Sequence, residues 1–337
     1  PRTDPRPRPH HAPPDPLEAA HVFTFVIPAH NEQATIAAIV GQAVAAAQPG
    51  DRVLVVDSAS TDTTAAQAAA AGAEVLPGPS GKGAAMTAAI ATITTGWVCF
   101  LDADLTASDT NVPATLRHAA ASGTADHILG DYEYADPGTI LSSTFTIYQP
   151  LAAEFFPEVG DLGANSLSGY RAIRRRYLDR LLPAHFGIEA HLNISIAMAG
   201  GATVVHHLGV IASRFRYKPD MCREIGESIL DLATAHNRLH PHDRPAWQAW
   251  LDQGAAAISA ITATTGRSAA LTRLFAAARR PTPPRTHHTR QPSAATGHPR
   301  SARVARPGSP QYPKPSHENQ LEAVRGVGHR LDGGNAT

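Results

Sequence analysis

The sequence predicts an α/β fold in which a mostly parallel sheet is flanked by helices. Short β-branched or aromatic segments alternate with segments of helical spacing, and the connections between them are short. Polar clusters follow directly after the apolar segments. In sheets of this kind, ligands bind beyond the carboxyl ends of the strands. The alternation and the polar clusters together indicate a sheet with a ligand-binding edge.

Three strand-loop-helix units and a fourth strand are expected between residues 22 and 101. The predicted strands are Val22 to Ile27, Val53 to Val56, Glu74 to Leu76 and Trp97 to Leu101. The predicted helices are Ile36 to Val44, Thr63 to Ala71 and Ala84 to Ile93. The polar segments behind the four strands are His30-Asn31-Glu32, Asp57-Ser58, Lys82, and Asp102 with Asp104.

Beyond the fourth strand the alternation is less regular. Strands are expected over Ile128 to Tyr134 and Thr203 to Leu208, and helices over Phe145 to Phe156, Arg171 to Leu182 and His191 to Ala199. Two further helical stretches are expected over Met221 to Leu239 and Trp247 to Ala278. The last of these has an apolar stripe that could pack on the domain or form a homodimer contact.

Composition divides the chain into four parts. Residues 1–20 are rich in Pro, Arg and His and are expected to be a disordered arm. Residues 21–218 form the α/β domain, and residues 219–280 form a helical region. Residues 281–337 contain Pro, Ser, Gly, Arg and His but few residues that could build a core, and are expected to be a disordered tail.

The overall composition argues against several classes of protein. Lys+Arg 29 and Asp+Glu 29 give a formal net charge of zero, which does not favour a nucleic-acid partner. No apolar run reaches the roughly 18 to 20 residues of a transmembrane helix, and residues 1–20 lack the apolar core of a secretory signal. Cys99 and Cys222 indicate free thiols in a reducing compartment. We therefore expect a cytoplasmic protein.

The triplet Asp102-Ala103-Asp104 is the most informative motif of the chain. Two carboxylates separated by one residue at the end of a strand can bind one divalent cation together, and their hard oxygen atoms suit Mg²⁺ or Mn²⁺. Such a cation would neutralise a diphosphate. The alternative is that the two aspartates only cap the next helix.

Four segments resemble the nucleotide-sugar half of GT-A glycosyltransferases. They are Phe25 to Glu32 (FVIPAHNE), Val55 to Asp62 (VVDSASTD), Gly81-Lys82-Gly83 and Leu101 to Leu105 (LDADL). The later segments Gly169 to Ala172 and Phe186 to Glu189 resemble the glucosyl-3-phosphoglycerate synthase family and its relatives. The resemblance implies the Rossmann-like GT-A fold with a helical C-terminal extension.

The same resemblance implies a metal-dependent hexosyltransferase. The donor would be a nucleoside-diphosphate sugar with UDP or GDP, and the acceptor a small soluble molecule, with retention favoured over inversion. Contacts to the nucleotide sugar fall on Ala29, Glu32, Asp57, Ser58, Lys82, Asp102 and Ala103. Asp104 would bind Mg²⁺ or Mn²⁺, and Glu189 would hold hydroxyl groups of the sugar and acceptor or act as a base.

Simpler interpretations of individual acids stay open. Glu32 could be an ordinary first-turn acid of a helix, Asp57 a helix cap, and Glu189 a cap or surface acid. Other functions also remain: a polyprenyl-phosphate sugar transferase or other inverting transferase, a nucleotidyltransferase, or a non-catalytic nucleotide-sugar binder.

The sequence departs from the family pattern in two places. Retaining relatives carry a metal-binding histidine shortly after Leu208-Gly209-Val210, where this chain has Ser213 and Arg214. His207 is expected to substitute as a metal ligand, with His206 as the other option, or Arg214 or Arg216 could supply positive charge to the diphosphate.

The second departure concerns the acceptor. Instead of basic residues for phosphoglycerate, the chain offers the acidic and aromatic segment Asp131 to Asp136. This segment favours a neutral or cationic acceptor, unless its acids only solvate a surface loop.

Overall fold

The computed structural model describes residues 21–264 except residues 124, 136–142, 179–181, 215–217 and 219. In this part of the chain, eight strands form one sheet. They are β1 (Phe23–Ala29), β2 (Arg52–Asp57), β3 (Glu74–Pro77), β4 (Trp97–Phe100), β5 (Leu105–Ser108), β6 (His127–Tyr134), β7 (Arg171–Arg174) and β8 (Thr203–Ser213). The disordered arm expected at residues 1–20 and the disordered tail expected at residues 281–337 lie outside the described residues.

The sheet has the strand order β3-β2-β1-β4-β7-β6-β8-β5. All strands run in the same direction except β5 and β7, which pair antiparallel with their neighbours. The predicted α/β class with a mostly parallel sheet is therefore confirmed. The four strands expected in the first part of the chain are β1 to β4, each within two residues of its predicted bounds.

Eight α-helices are described. They are α1 (Ile36–Ala46), α2 (Thr64–Ala70), α3 (Lys82–Ile90), α4 (Val112–Ala121), α5 (Gln149–Phe155), α6 (Ile188–Met198), α7 (Met221–Ala235) and α8 (Arg244–Thr264). A π-helical turn over Thr144–Tyr148 precedes α5. Short 3-10 turns follow at Pro157–Val159 and Arg175–Tyr177.

Helices pack on both faces of the sheet. Phe25 and Ile27 of β1 belong to a core shared with α1, α2 and α4. Val26 of β1 and Val98 of β4 point the other way, into a core shared with α3 and α6. This alternation is what a strand that is covered on both faces requires.

A third hydrophobic cluster joins α7 and α8 to α5 and α6. Ile229 of α7 and Trp247 of α8 pack in one cluster with Leu151 and Ile194. The helical region expected from residue 219 onward therefore shares its core with helices of the preceding region. The boundary at residue 218 stays a prediction.

The prediction of a helix over Arg171 to Leu182 is wrong. Arg171–Arg174 instead forms β7, which pairs antiparallel with β4 on one side and β6 on the other. Ala172 and Ile173 are buried on the two faces of the sheet. The local preference of an Arg-rich segment for helix is outweighed by burial in a central strand. Strand β5 was not predicted, because only Leu105 of its four residues is buried.

Cys99 and Cys222 are free and buried. A search of the described helices for a segment long and apolar enough to cross a lipid bilayer finds none.

Candidate active site

A cavity of about 480 Å³ lies at the edge of the sheet where β1, β2 and β4 end. It brings together most of the site residues that were predicted from the sequence and that lie in separate loops. Those that line it are Ala29, Glu32, Ser58, Lys82, Asp102, Ala103, Asp104 and Glu189. The convergence follows from topology, because the carboxyl ends of parallel strands meet at one edge.

The loop after β1 is held against the loop after β2. The Nδ1 atom of His30 is hydrogen-bonded to the carbonyl oxygen of Ser58 at 2.7 Å, and the backbone N–H of Glu32 donates to Thr64 Oγ1 at 2.8 Å. The carboxylate of Glu32 accepts a hydrogen bond from Thr35 Oγ1 at 3.2 Å. Glu32 is only 5% exposed and lines the cavity. It is therefore a buried acid at the cavity wall and not a solvated first-turn residue.

Asp57 ends β2 but is not among the described residues that line the cavity. Its Oδ1 atom is buried and has no hydrogen-bond partner in the described part of the protein, while its carbonyl oxygen accepts from the N–H of Gly78 at 2.9 Å. A buried acceptor without a donor is unusual in folded proteins. Ser58, the next residue, does line the cavity.

Lys82 is the electrostatic centre of the site. Its Nζ atom lies 2.6 Å from Asp102 Oδ1 and 2.5 Å from Glu189 Oε1. Burial alone would lower the pKa of Lys82, but the charges and hydrogen bonds of the two carboxylates outweigh burial and raise it. Gly81 enters this turn with φ of 107°, a backbone conformation that favours glycine. Lys82 thus begins α3 and links the loop after β4 to the first turn of α6.

The two aspartates of the triplet have opposite electrostatic environments. Burial acts to raise the pKa of Asp102, but the nearby charge of Lys82 lowers it overall. Burial and the charge of Asp102 raise the pKa of Asp104 to about 6. Asp104 thus carries a charge that its surroundings disfavour, and a bound cation would relieve this.

The C-terminal end of β8 lies beside Asp104. The N–H of Arg214 donates to the carbonyl oxygen of Asp104 at 2.8 Å, and Ser213 pairs with Leu105 and lines the cavity. His207 lies six residues earlier on β8, and at about 3.3 Å per residue this places it roughly 20 Å away along the strand.

The expectation that His207 binds the metal therefore does not agree with the structure. His207 is exposed, and its Nδ1 accepts from the N–H of Gly209 at 3.1 Å. His206 lies on the same distant part of β8. Arg214 is exposed, and Arg216 lies outside the described residues.

The residues fit a divalent cation that is bound partly by carboxylates of the protein and partly by oxygen atoms of a diphosphate. Asp104 and Asp102 offer the hard oxygen atoms that Mg²⁺ and Mn²⁺ prefer. Among the described residues, no group of three His, Cys, Asp or Glu side chains converges to hold an ion alone. Sites for Mg²⁺ often use one or two carboxylates and complete the coordination with phosphate oxygens and water.

The acidic lining expected from Asp131 to Asp136 is not found in its described part. Asp131 accepts hydrogen bonds from the backbone N–H groups of Ala164 and Asn165 and from Asn165 Nδ2 at 2.8 Å. Glu133 is exposed. Tyr132 and Tyr134, at alternate positions of β6, line the cavity. The aromatic half of the segment contributes to the cavity, and Asp136 lies outside the described residues.

Arg171 is a functional candidate that the sequence placed wrongly on a helix. It is fully buried below Glu189 and donates to Asn193 Oδ1 at 3.0 Å, to the carbonyl oxygen of Ser168 at 2.9 Å and to that of Glu189 at 3.4 Å. Burial lowers its pKa. Arg171 thus ties β7 to the first turn of α6, the turn that presents Glu189.

Lys218 is a cavity residue without a sequence signal. It lies in the connection between β8 and α7, outside any motif, and its Nζ atom is 4.0 Å from the centroid of the Phe186 ring. Its charge acts on Asp102, Asp104 and Glu189. Lys218 is therefore a second cation near the triplet.

Comparison with known proteins agrees with this geometry. Residues 24–182 match the profile of Glycosyl transferase family 2. This part of the chain is therefore similar to Glycosyl transferase family 2. This confirms the glycosyltransferase resemblance of the motifs, and the match covers β1 to β7 together with the carboxylates of the triplet.

Relatives in sequence are also glycosyltransferases. Glycosyltransferase AglJ of Haloferax volcanii is 34% identical over 187 residues, which cover 54% of this chain and 60% of the relative. An uncharacterized glycosyltransferase of Mycobacterium tuberculosis is 41% identical over 87 residues, covering 26% of this chain and 38% of the relative. The chain thus spans less than two thirds of the length of these curated relatives.

Solved structures of glucosyl-3-phosphoglycerate synthase from Mycobacterium tuberculosis share the fold. The complex with Mn²⁺, UDP-glucose and phosphoglyceric acid has a TM-score of 0.57 and 28% identity, and the similarity covers 67% of this chain and 86% of the neighbour. A complex with Mg²⁺ and UDP has a TM-score of 0.57 and 27% identity, over 66% and 85%. The metals expected from the sequence, Mg²⁺ and Mn²⁺, are those that these neighbours bind.

Proposed function

We propose that the glycosyltransferase domain transfers a hexose from UDP-hexose to a hydroxyl group of a small soluble acceptor. One observation carries this proposal: Lys82 contacts Asp102 and Glu189 inside the cavity that Asp104 also lines. The donor is proposed to be a UDP-sugar and not a GDP-sugar, because the structural neighbours bind UDP and UDP-glucose. Free buried thiols at Cys99 and Cys222 support action in the cytoplasm.

Each loop of the cavity takes one part of the donor in this proposal. Glu32 and Ala29 contact the ribose and base. Ser58 lies next to the base. Asp57 precedes Ser58 and does not itself line the cavity, and its unpartnered Oδ1 would accept a hydrogen bond from a base N–H group. Asp102 and Ala103 lie beside the ribose and the diphosphate.

Asp104, together with Asp102, would hold Mg²⁺ or Mn²⁺ against the diphosphate. A cation there supplies positive charge to the leaving group. The retaining relatives are expected to have a metal-binding histidine in the segment where this chain has Ser213 and Arg214, so the protein would offer one strong metal ligand fewer. Lys218 lies in the same cavity and would add positive charge near the diphosphate.

The transfer breaks the bond between the anomeric carbon and the diphosphate oxygen, and UDP leaves with the electron pair. A bond forms between the same carbon and the acceptor oxygen. We favour retention, in which both events occur on one face of the sugar and the acceptor proton passes to the departing oxygen. Glu189, whose Oε1 contacts Lys82 at 2.5 Å, then orients the hydroxyl groups of sugar and acceptor.

The donor half of the proposal is tested by calorimetric titration of UDP into the protein with and without Mn²⁺. We expect Mn²⁺ to tighten UDP binding, and Asp104→Asn to remove most of that effect. Asp231→Asn is the matched control, because Asp231 is an exposed residue of α7 that pairs with Arg244. If UDP binding by Asp104→Asn depends on Mn²⁺ as much as UDP binding by the parent does, the metal assignment is refuted. A separate NMR measurement of the anomeric configuration of the product decides between retention and inversion.

A further inference from the structure

The lining of the cavity includes uncharged aromatic and hydroxyl side chains. Tyr132, Tyr134, Tyr170 and Ser143 line it. The ring centroids of Tyr132 and Tyr134 are 5.0 Å apart, those of Tyr132 and Tyr170 are 5.7 Å apart, and both pairs meet edge to face. The three rings therefore brace one another and form an ordered aromatic wall.

Two hydroxyl groups of this wall have no hydrogen-bond partner among the described residues. They are Tyr170 Oη and Ser143 Oγ, and each residue is only 1% exposed. The fold does not use these groups, since neither holds an element or a loop in place. Buried hydroxyl groups are nearly always hydrogen-bonded in folded proteins, and each of these can both donate and accept. Two such groups in a cavity wall point to a ligand with hydroxyl groups of its own.

The charges around the wall argue against an ionic ligand. Asp131 is occupied by the backbone and side chain of Asn165, and Glu133 is exposed. Lys82 is paired with Asp102 and Glu189. Lys218, the other lysine of the described lining, packs on the ring of Phe186, and the proposed function assigns its charge to the diphosphate. In the described part of the lining there is no arginine to hold a phosphate or carboxylate in two-point contact.

We infer that this wall, defined by Tyr132, Tyr134, Tyr170 and Ser143, is the acceptor subsite and that it takes a neutral, hydroxyl-bearing ring of the carbohydrate class. The aromatic faces bury the C–H groups of the ring, and the two unpartnered hydroxyl groups bind its hydroxyl groups. The inference rests on the proposed function and narrows it. It also separates this chain from the neighbour whose structure contains phosphoglyceric acid.

The test uses the full chain with UDP-glucose, Mn²⁺ and four acceptors: glucose and glycerol as neutral molecules, glucosamine as a cation and 3-phosphoglycerate as an anion. Release of UDP is followed for each. We expect kcat/KM to be at least tenfold higher for glucose than for glucosamine or 3-phosphoglycerate.

Tyr170→Phe and Ser143→Ala test the two hydroxyl groups. Each is expected to raise the acceptor KM by roughly 3- to 10-fold, the effect of one lost hydrogen bond, while the Kd for UDP with Mn²⁺ changes less than twofold. The Tm of Tyr170→Phe should equal or exceed that of the parent, because the variant removes a buried polar group without a partner. Tyr177→Phe is the matched control, since the Tyr177 hydroxyl contacts Asp126 away from the cavity.

Several results would overturn the inference. One is more efficient transfer to 3-phosphoglycerate or glucosamine than to glucose. Another is the absence of transfer to either neutral acceptor by protein that binds UDP-glucose. A third is an unchanged acceptor KM in Tyr170→Phe and Ser143→Ala. A lower Tm with an unchanged KM would mean that Tyr170 is only structural. Failure of the parent protein to bind UDP or UDP-glucose would instead refute the proposed function itself.

Discussion

Replacing Lys82 by methionine is expected to destabilise the protein through charge and not through packing. Methionine keeps most of the length of the side chain but removes the ammonium group, which lies 2.6 Å from Asp102 and 2.5 Å from Glu189. Both carboxylates would then share one cavity wall without their main counter-charge. The variant therefore isolates the electrostatic contribution of this contact.

The size of the loss in stability follows from how deeply the charged groups are buried. Removing one partner of a buried ion pair costs about 3 to 5 kcal/mol. The side chains of Lys82 and Asp102 remain 18% and 27% exposed, so solvent screens part of the interaction and we expect the lower end, about 3 kcal/mol. In a domain of this size that lowers the Tm by roughly 6 to 12 °C.

The assay is thermal and denaturant unfolding of the parent, Lys82→Met and the double variant Lys82→Met/Glu189→Gln. The double variant removes one of the two repelling charges and should recover part of the lost stability. A Lys82→Met variant as stable as the parent, or a double variant less stable than the single one, would refute the electrostatic argument.

Three further predictions concern positions around the sheet. Burial, and to a lesser degree the charge of Arg171, hold the pKa of His127 well below 6.5. The unfolded chain then binds a proton that the folded protein does not, so the free energy of unfolding should fall by up to about 1.4 kcal/mol per pH unit below pH 6.5. Urea unfolding between pH 7.5 and 5.5 measures this, and His127→Gln should flatten the profile. Gly169→Ala should weaken UDP binding more than tenfold in calorimetry, because a Cβ atom there would lie 2.2 Å from Asp102 Oδ1; binding equal to the parent would contradict it. Asn193→Ala should lower the free energy of unfolding by about 2 kcal/mol, because the buried guanidinium of Arg171 loses its side-chain acceptor; an unchanged urea midpoint would contradict this.

The first half of the fold was predictable because local and tertiary preferences agree there. Val53 to Val56 is β-branched or apolar at every position and is buried in the sheet. The residues that follow such strands must lie at the carboxyl edge, so the placement of Glu32, Lys82 and Asp104 in one cavity could be inferred without coordinates.

The second half was less predictable because its contacts are between residues distant in sequence. Arg171–Arg174 has the composition of an exposed helix, and only its pairing with β4 and β6 makes it a strand. His207 is close in sequence to the position where the family's metal ligand is expected, but the length of β8 places it far from Asp104. Lys218 reaches the cavity from a connection with no periodic pattern, and Asp131 contacts Asn165, a partner that no local pattern indicates.

The central position of β7 has a consequence for synthesis of the chain. Strand β4 ends at the cavity, yet one of its neighbours is β7, which begins 71 positions after β4 ends. Until the ribosome has released Arg174, the buried sequence Trp97–Phe100 has an open backbone edge. A fragment that stops before β7 would therefore leave an apolar strand available to other chains, and we expect it to aggregate on expression.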